Sequence, residues 1–124
     1  MSRLLAVGLG GFLGAILRYW LSSVLLERFR GAFPLGTLAV NVLGCFAIGV
    51  LWGWVEEQRA LSEHARLFLS VGLLGGLTTF STFGLETVTL WRDGEESLAL
   101  GSIAANLSLG LGAVVLGRAL VRFL

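Results

Sequence analysis

The chain has 124 residues and a formal net charge of +1; 56% of the residues are hydrophobic and only 14% are charged. Soluble domains carry about 25% charged residues on average, so this composition excludes an ordinary soluble domain. Four apolar stretches each reach the roughly 20 residues with which a helix crosses a bilayer, and they cover 4–26, 36–55, 67–91 and 98–121. We therefore predict one all-helical integral membrane domain over 1–124, a bundle of four helices.

The first stretch combines closely spaced glycines with one charged residue inside the predicted span. Gly10 and Gly14 have the spacing that lets two membrane helices approach closely, and Gly11 lies beside them. Arg18 is the only basic residue well inside a predicted span. An intramembrane charge indicates function unless the side chain reaches an interface, and the sequence leaves both interpretations open.

The second stretch carries a polar pair. Thr37 and Asn41 are one helical turn apart and share a face. An amide can donate to an anion or to a neighbouring helix, and the residues alone do not decide between the two. Gly49 and Gly53 repeat the glycine spacing of the first stretch.

The third stretch is the most informative because it concentrates glycines and hydroxyls inside an apolar span: Gly75, Gly76, Thr78, Thr79, Phe80, Ser81, Thr82, Phe83 and Gly84. We expect this helix to break. In lipid, a broken backbone is tolerated only where it is buried in protein or lines a wet cavity, so the segment predicts an ion site. Phe80 and Phe83 share a helix face; such rings usually pack in a core or against lipid, although their positive rims can also meet an anion edge-on. Glu86 lies past the middle of the same span.

The fourth stretch and the charge distribution bear on assembly. Ser102 and Asn106 are four residues apart, whereas no two glycines of this stretch are. The two sides of the membrane would hold five arginines against three: Arg3, Arg59, Arg66, Arg118 and Arg122 against Arg28, Arg30 and Arg92. This bias is weak by the positive-inside rule, so insertion in both orientations and insertion in one stay open. Two copies in opposite orientations would supply the inverted symmetry on which many transporters build their sites.

Three motifs, in the same order along the chain, carry a family resemblance. They are GGFLGAILRY at 10–19, GTLAVNVLG at 36–44 and GGLTTFSTF at 75–83. Together they resemble the Fluc family of fluoride channels, and the match extends over essentially the whole chain. The resemblance implies a dual-topology, antiparallel homodimer with two fluoride pathways and a broken third helix. A central Na⁺ would be held by the backbone carbonyls of Gly75 and Thr78.

The resemblance also implies roles for individual residues. The fluoride pathway would involve Thr37, Asn41, Phe80, Ser81, Thr82, Phe83, Glu86, Ser102 and Asn106, and the structural positions would be Gly10, Gly11, Gly14 and Arg18. Some relatives place a tyrosine and serines along the pore face of the fourth helix, where this chain has Ser102, Asn106 and Gly110. This departure leaves the outer part of the path open.

The function implied is passive, fluoride-selective export across the cell's inner membrane, which limits fluoride toxicity in the cytoplasm. No nucleophile is paired with a base, so an enzyme is not expected. A small dual-topology drug–proton antiporter is the alternative, but it needs a titratable acid deep in its first helix, and residues 4–26 contain neither Asp nor Glu. A membrane anchor without transport activity would leave the polar third helix unexplained.

Overall fold

The computed structural model describes residues 2–57 and 60–124, so Arg59 lies outside the described residues. Four helical spans are long and apolar enough to cross a membrane: Ser2–Arg28, Leu35–Glu56, Glu63–Arg92 and Glu96–Val121. The first and second are helices α1 and α2, and the fourth is α5. The third span is divided into α3, at 63–77, and α4, Phe80–Arg92. The predicted all-helical membrane fold with a broken third helix is confirmed.

Local sequence explains where several helices begin and end. Pro34 directly precedes α2, a position where the missing proline N–H costs no helical hydrogen bond. Ser62 caps α3, since its hydroxyl accepts a hydrogen bond from the Ala65 N–H at 3.2 Å. Gly94 adopts a φ of +82° in the turn between α4 and α5, a conformation that favours glycine.

Helices α1 and α3 meet backbone to backbone through glycines. A Cβ added at Gly10 would overlap Phe68 O, and one added at Gly14 would overlap Leu73 O. From the other side, a Cβ at Gly76 would lie 2.7 Å from Gly11 O, shorter than any normal contact. Gly72, four residues before Gly76, is as close, since its Cβ would lie 2.7 Å from Val7 O. The glycines of both stretches therefore serve close packing, as is usual between membrane helices.

Helices α2 and α5 form a second interface of the same kind. A Cβ at Gly49 would overlap Val114 O, and one at Gly117 would overlap Phe46 O. Gly110, which is also buried, lies seven residues before Gly117 and therefore two turns away on the same face. A seven-residue spacing therefore marks the contact face of α5, and the absence of glycines four residues apart is no sign of loose packing.

The third span changes its winding before it breaks. Leu67–Leu74 is a π-helix, and one short α-helical turn, Gly75–Leu77, follows it. Thr78 and Thr79 are then extended, and α4 starts at Phe80. The backbone thus leaves the helix at the two threonines, just after the glycines of the motif.

Polar contacts gather the chain ends at one end of the bundle. Arg3 pairs with Glu63 at 3.1 Å, and His64 shares a hydrogen bond with Ser2 at 2.7 Å. Arg118 donates to both carboxylate oxygens of Glu56, at 2.7 and 2.8 Å. The start of α1 therefore lies against the start of α3, and the end of α2 lies against the end of α5.

Candidate functional site

The break in the third span is held by one side chain of α2. Asn41 Oδ1 accepts a hydrogen bond from the Thr79 N–H at 2.8 Å, and Asn41 Nδ2 donates to Thr79 O at 3.2 Å. Thr79 is only 7% exposed. In a low-dielectric interior an unsatisfied backbone N–H or C=O is costly. Asn41 therefore supplies the acceptor and the donor that the backbone of Thr79 lacks where the helix is interrupted.

Thr79 also caps the helix that follows it. Its Oγ1 accepts from the Thr82 N–H at 3.2 Å and donates to Thr82 Oγ1 at 3.0 Å. This is the usual N-cap arrangement, in which a hydroxyl satisfies an amide of the first turn. Thr79 belongs to the polar segment, but no role was predicted for it from the sequence. A threonine at the expected start of a helix can be recognised as a candidate N-cap, since a cap accepts from the amide two or three residues later, here that of Thr82.

These contacts change which carbonyls are free near the break. In a continuous α-helix each N–H donates four residues back, so Thr79 N would serve Gly75 O and Thr82 N would serve Thr78 O. Here Thr79 N donates to Asn41 and Thr82 N donates to the Thr79 hydroxyl. The carbonyls of Gly75 and Thr78 have therefore lost their α-helical donors.

Gly75 and Thr78 differ in how tightly they are packed. The Thr78 hydroxyl donates to Leu74 O at 3.0 Å, and its methyl group lies against Gly44, where an added Cβ would overlap it. A Cβ at Gly75 would meet only Ser70 O, at an ordinary 3.8 Å. Packing within one protomer thus requires glycine at position 44, the last residue of the second motif, but not at position 75.

Helix α5 reaches the break through Asn106. Asn106 Oδ1 accepts from Asn41 Nδ2 at 3.0 Å, and Asn106 Nδ2 donates to Ser102 O in the preceding turn at 3.0 Å. Two amides from different helices and the backbone of Thr79 therefore form one connected network. The interhelical hydrogen bond that the sequence left open for Asn41 is present.

A second hydrogen bond joins α2 and α4, one helical turn before Asn41. The Thr37 hydroxyl donates to Glu86 Oε1 at 2.9 Å. Ser102, one turn before Asn106 on α5, is fully buried. Among residues 2–57 and 60–124, neither Ser102 Oγ nor Glu86 Oε2 has a hydrogen-bond partner. Buried polar groups are normally satisfied, so this level of the bundle has unused hydrogen-bonding capacity.

The two rings of the motif follow the break directly. The centroids of Phe80 and Phe83 are 5.5 Å apart, with the ring planes tilted by 57°. Phe80 is 81% exposed in the protomer. A cavity of about 390 Å³ lies beside them, and its lining includes Asn41, Thr78 and Asn106.

Other predicted residues lie at the edge of this region or apart from it. Ser81 and Thr82 are exposed on the first turn of α4, with Ser81 Oγ 3.4 Å from Thr79 Oγ1. Arg18 is half-buried on α1 and makes no hydrogen bond or ion pair within the described part of the chain. The structure therefore brings together Asn41, Thr78, Phe80, Phe83 and Asn106, and it leaves Arg18 outside that group.

Comparison with known proteins places the chain in a family. The family model described as CrcB-like protein, Camphor Resistance (CrcB), matches residues 5–118. The chain belongs to the CrcB family. A CrcB relative from Clostridium perfringens (strain 13 / Type A) is 45% identical over 120 residues, which cover 97% of this chain and 94% of the relative. One from Shewanella sp. (strain ANA-3) is 45% identical over 121 residues, 98% of this chain and 97% of the relative.

Both CrcB relatives carry the name fluoride-specific ion channel FluC. A third, from Clostridium novyi (strain NT), has the same name and is 45% identical over 92% of this chain and 89% of its own length. The resemblance that rested on three motifs is thus confirmed over nearly the full length. With four spanning helices, the chain is a multi-pass membrane protein.

Proposed function

We propose that this chain is a fluoride-selective channel through which fluoride leaves the cytoplasm passively, limiting its toxicity there. The strongest support is the 45% identity to relatives named fluoride-specific ion channel, which extends over nearly the full length of this chain and of each relative. A channel needs no reacting side chains, so the protein is not an enzyme. A membrane potential that is negative inside favours movement of the anion outward.

The chemistry of the residues after the break suits a small, strongly hydrated anion. Such an ion leaves water only for groups that replace its hydration, yet it must bind weakly enough to move on. The exposed hydroxyls of Ser81 and Thr82 can donate hydrogen bonds, and the rims of Phe80 and Phe83 present positive ring edges. None of these groups carries a fixed positive charge that would trap the ion.

Fluoride efflux from liposomes tests this function. Purified protein is reconstituted with internal potassium fluoride, and external fluoride is followed with an electrode. We expect efflux to start only when valinomycin lets potassium follow, because passive anion movement separates charge. A parallel chloride-loaded sample should release far less chloride. Fluoride release coupled to protons, or equal release of both anions, would contradict the proposal.

We further propose that the working unit is an antiparallel homodimer of chains inserted in both orientations. Two features support it: the nearly even arginine distribution, and the exposure of Phe80 and Gly75 at mid-span, where a partner can cover them. Arginines added to one end should fix the orientation and remove activity, and co-expression of an oppositely biased copy should restore it. Reporter fusions that show one orientation for the unmodified chain would contradict dual insertion.

A structural Na⁺ at the centre of that dimer is the third part of the proposal. The residues present fit it, since the carbonyls of Gly75 and Thr78 are relieved of their helical donors by Asn41 and by the Thr79 cap. Carbonyls of unwound helices are suitable Na⁺ ligands in membrane proteins. Bound there, the cation would supply positive charge and link two broken helices. Fluoride flux that persists unchanged after prolonged Na⁺ removal would argue against this role.

A further inference from the structure

The amide of Asn41 has no hydrogen left for an ion. A side-chain amide has two N–H donors, and those of Asn41 point to Thr79 O at 3.2 Å and Asn106 Oδ1 at 3.0 Å. Its oxygen accepts from the Thr79 N–H at 2.8 Å. In this conformation Asn41 acts on the backbone of Thr79, and fluoride would have to displace one of these bonds to reach it.

Asn106 gives the Asn41 amide a third contact, beside the two from Thr79, that favours the same orientation. An amide can rotate by half a turn and exchange its oxygen and nitrogen, and only its neighbours decide between the two positions. Asn106 Nδ2 is held by Ser102 O at 3.0 Å, so Asn106 presents its oxygen to Asn41. That oxygen accepts only from Nδ2, so it favours the orientation that Thr79 also requires, in which Oδ1 meets the Thr79 N–H and Nδ2 meets Thr79 O.

We propose that Asn106 is a positioning residue for ion passage: by bonding to the Asn41 amide it strengthens the contacts with which Asn41 holds Thr79 in the extended conformation that breaks the third span. The link to ion passage rests on the proposed function. The positioning itself is a property of the fold, and it can be measured without fluoride.

Hydrogen exchange at the Thr79 amide, followed by NMR on the full-length protein in membrane-mimetic particles, tests the positioning. Asn106→Ala removes the acceptor, and we expect Thr79 to exchange roughly fivefold faster, as loss of about one hydrogen bond implies. Asn106→Asp keeps an acceptor oxygen for Asn41 but loses the donor to Ser102 O, so Thr79 should exchange at a rate between those of the wild type and Asn106→Ala; exchange as fast as in Asn106→Ala would count against the acceptor role. Amides in the middle of α1 and α2 should not change in either variant.

A matched control lies two residues along the same helix. The Ser108 hydroxyl is exposed and donates to Ala104 O of its own helix at 2.6 Å. Ser108→Ala should therefore leave both Thr79 exchange and fluoride efflux unchanged. Unaltered Thr79 exchange in Asn106→Ala would overturn the proposal, and so would faster exchange spread evenly over all helices, because that would indicate a general loss of packing.

Fluoride efflux from liposomes then links positioning to passage. We expect Asn106→Ala to lower the efflux rate about tenfold, corresponding to roughly 1.4 kcal/mol. Faster Thr79 exchange together with wild-type efflux would overturn the role in passage. If the wild-type protein itself passes no fluoride, the proposed function fails, whereas the exchange rates still decide whether Asn106 positions Asn41.

Discussion

The two halves of the third span, α3 and α4, are held in the protein by different means. Helix α3 lies against α1 with glycines on both sides, so that backbone meets backbone at Gly10, Gly14 and Gly76. Helix α4 has no such contact, since a Cβ at its Gly84 would meet nothing within 4 Å. It is joined to α2 by hydrogen bonds, through the Thr79 cap and through Glu86.

Under the proposed function, this difference would separate the residues that anchor the third span from those that the ion passes. Close glycine contacts are made by backbone and involve no polar side chain, so they suit a fixed support. Side-chain hydrogen bonds and an exposed ring leave donors and ring edges within reach of an ion, which is where the motif places its hydroxyls. Substitutions in α3 and α1 should therefore act on folding, whereas those in α4 should act on flux.

The largest effect should come from the anchoring half. Gly14→Ala places a Cβ in the space of Leu73 O, and backbone cannot move aside as a flexible side chain can. We expect a loss of about 3 kcal/mol or more, enough to abolish folded protein. Yield and a single peak in size-exclusion chromatography measure it.

Gly8→Ala is the matched control, because a Cβ at Gly8, on the same helix, would meet nothing within 4 Å. It should give normal yield and flux. Equal tolerance of both substitutions would show that the glycine contact does not anchor α3.

In α4, the rings should matter for flux more than for folding. Phe80→Ile and Phe83→Ile keep bulk and apolarity but remove the ring edge. Because Phe80 is 81% exposed in the protomer, its change should cost about 1 kcal/mol or less in protomer stability. Fluoride efflux should fall about tenfold, corresponding to roughly 1.4 kcal/mol in the barrier.

Phe80 should be the more sensitive ring, since it is the first residue after the break. Efflux from liposomes that contain each variant, with the peak of folded protein checked by chromatography, decides the point. A loss of stability with normal flux would mean that the rings only pack.

The sequence predicted the four spans and a break in the third, but not where the break lies. Four apolar stretches fixed the spans, and glycines and hydroxyls in 75–84 predicted a break, because both weaken a helix in lipid. The break itself falls at Thr78 and Thr79, and that position depends on Asn41, which is 38 residues away along the chain. No local pattern reveals such a contact. The π-helical winding of Leu67–Leu74 likewise left no sign in the residue spacing.

A smaller effect is expected at the junction of the two halves. Thr79→Ala removes the cap on Thr82 N but keeps the backbone atoms that Asn41 binds. Loss of an N-cap hydroxyl costs about 1 kcal/mol, so thermal stability should fall modestly. Thr79→Ser keeps the hydroxyl and should restore most of the loss. Equal stability of the alanine and serine variants would show that the cap contributes nothing.

The central claim is that fluoride passes beside the break, along α4. The rate of fluoride efflux through Asn41→Asp, relative to wild type, tests it most directly. Aspartate has the same size, but it cannot donate to Thr79 O or Asn106 Oδ1, and it adds negative charge where an anion would pass. We predict that efflux falls on the order of 100-fold, as expected when buried acceptors lose their donors and a like charge is added. Near-normal fluoride efflux through folded Asn41→Asp protein would contradict the account.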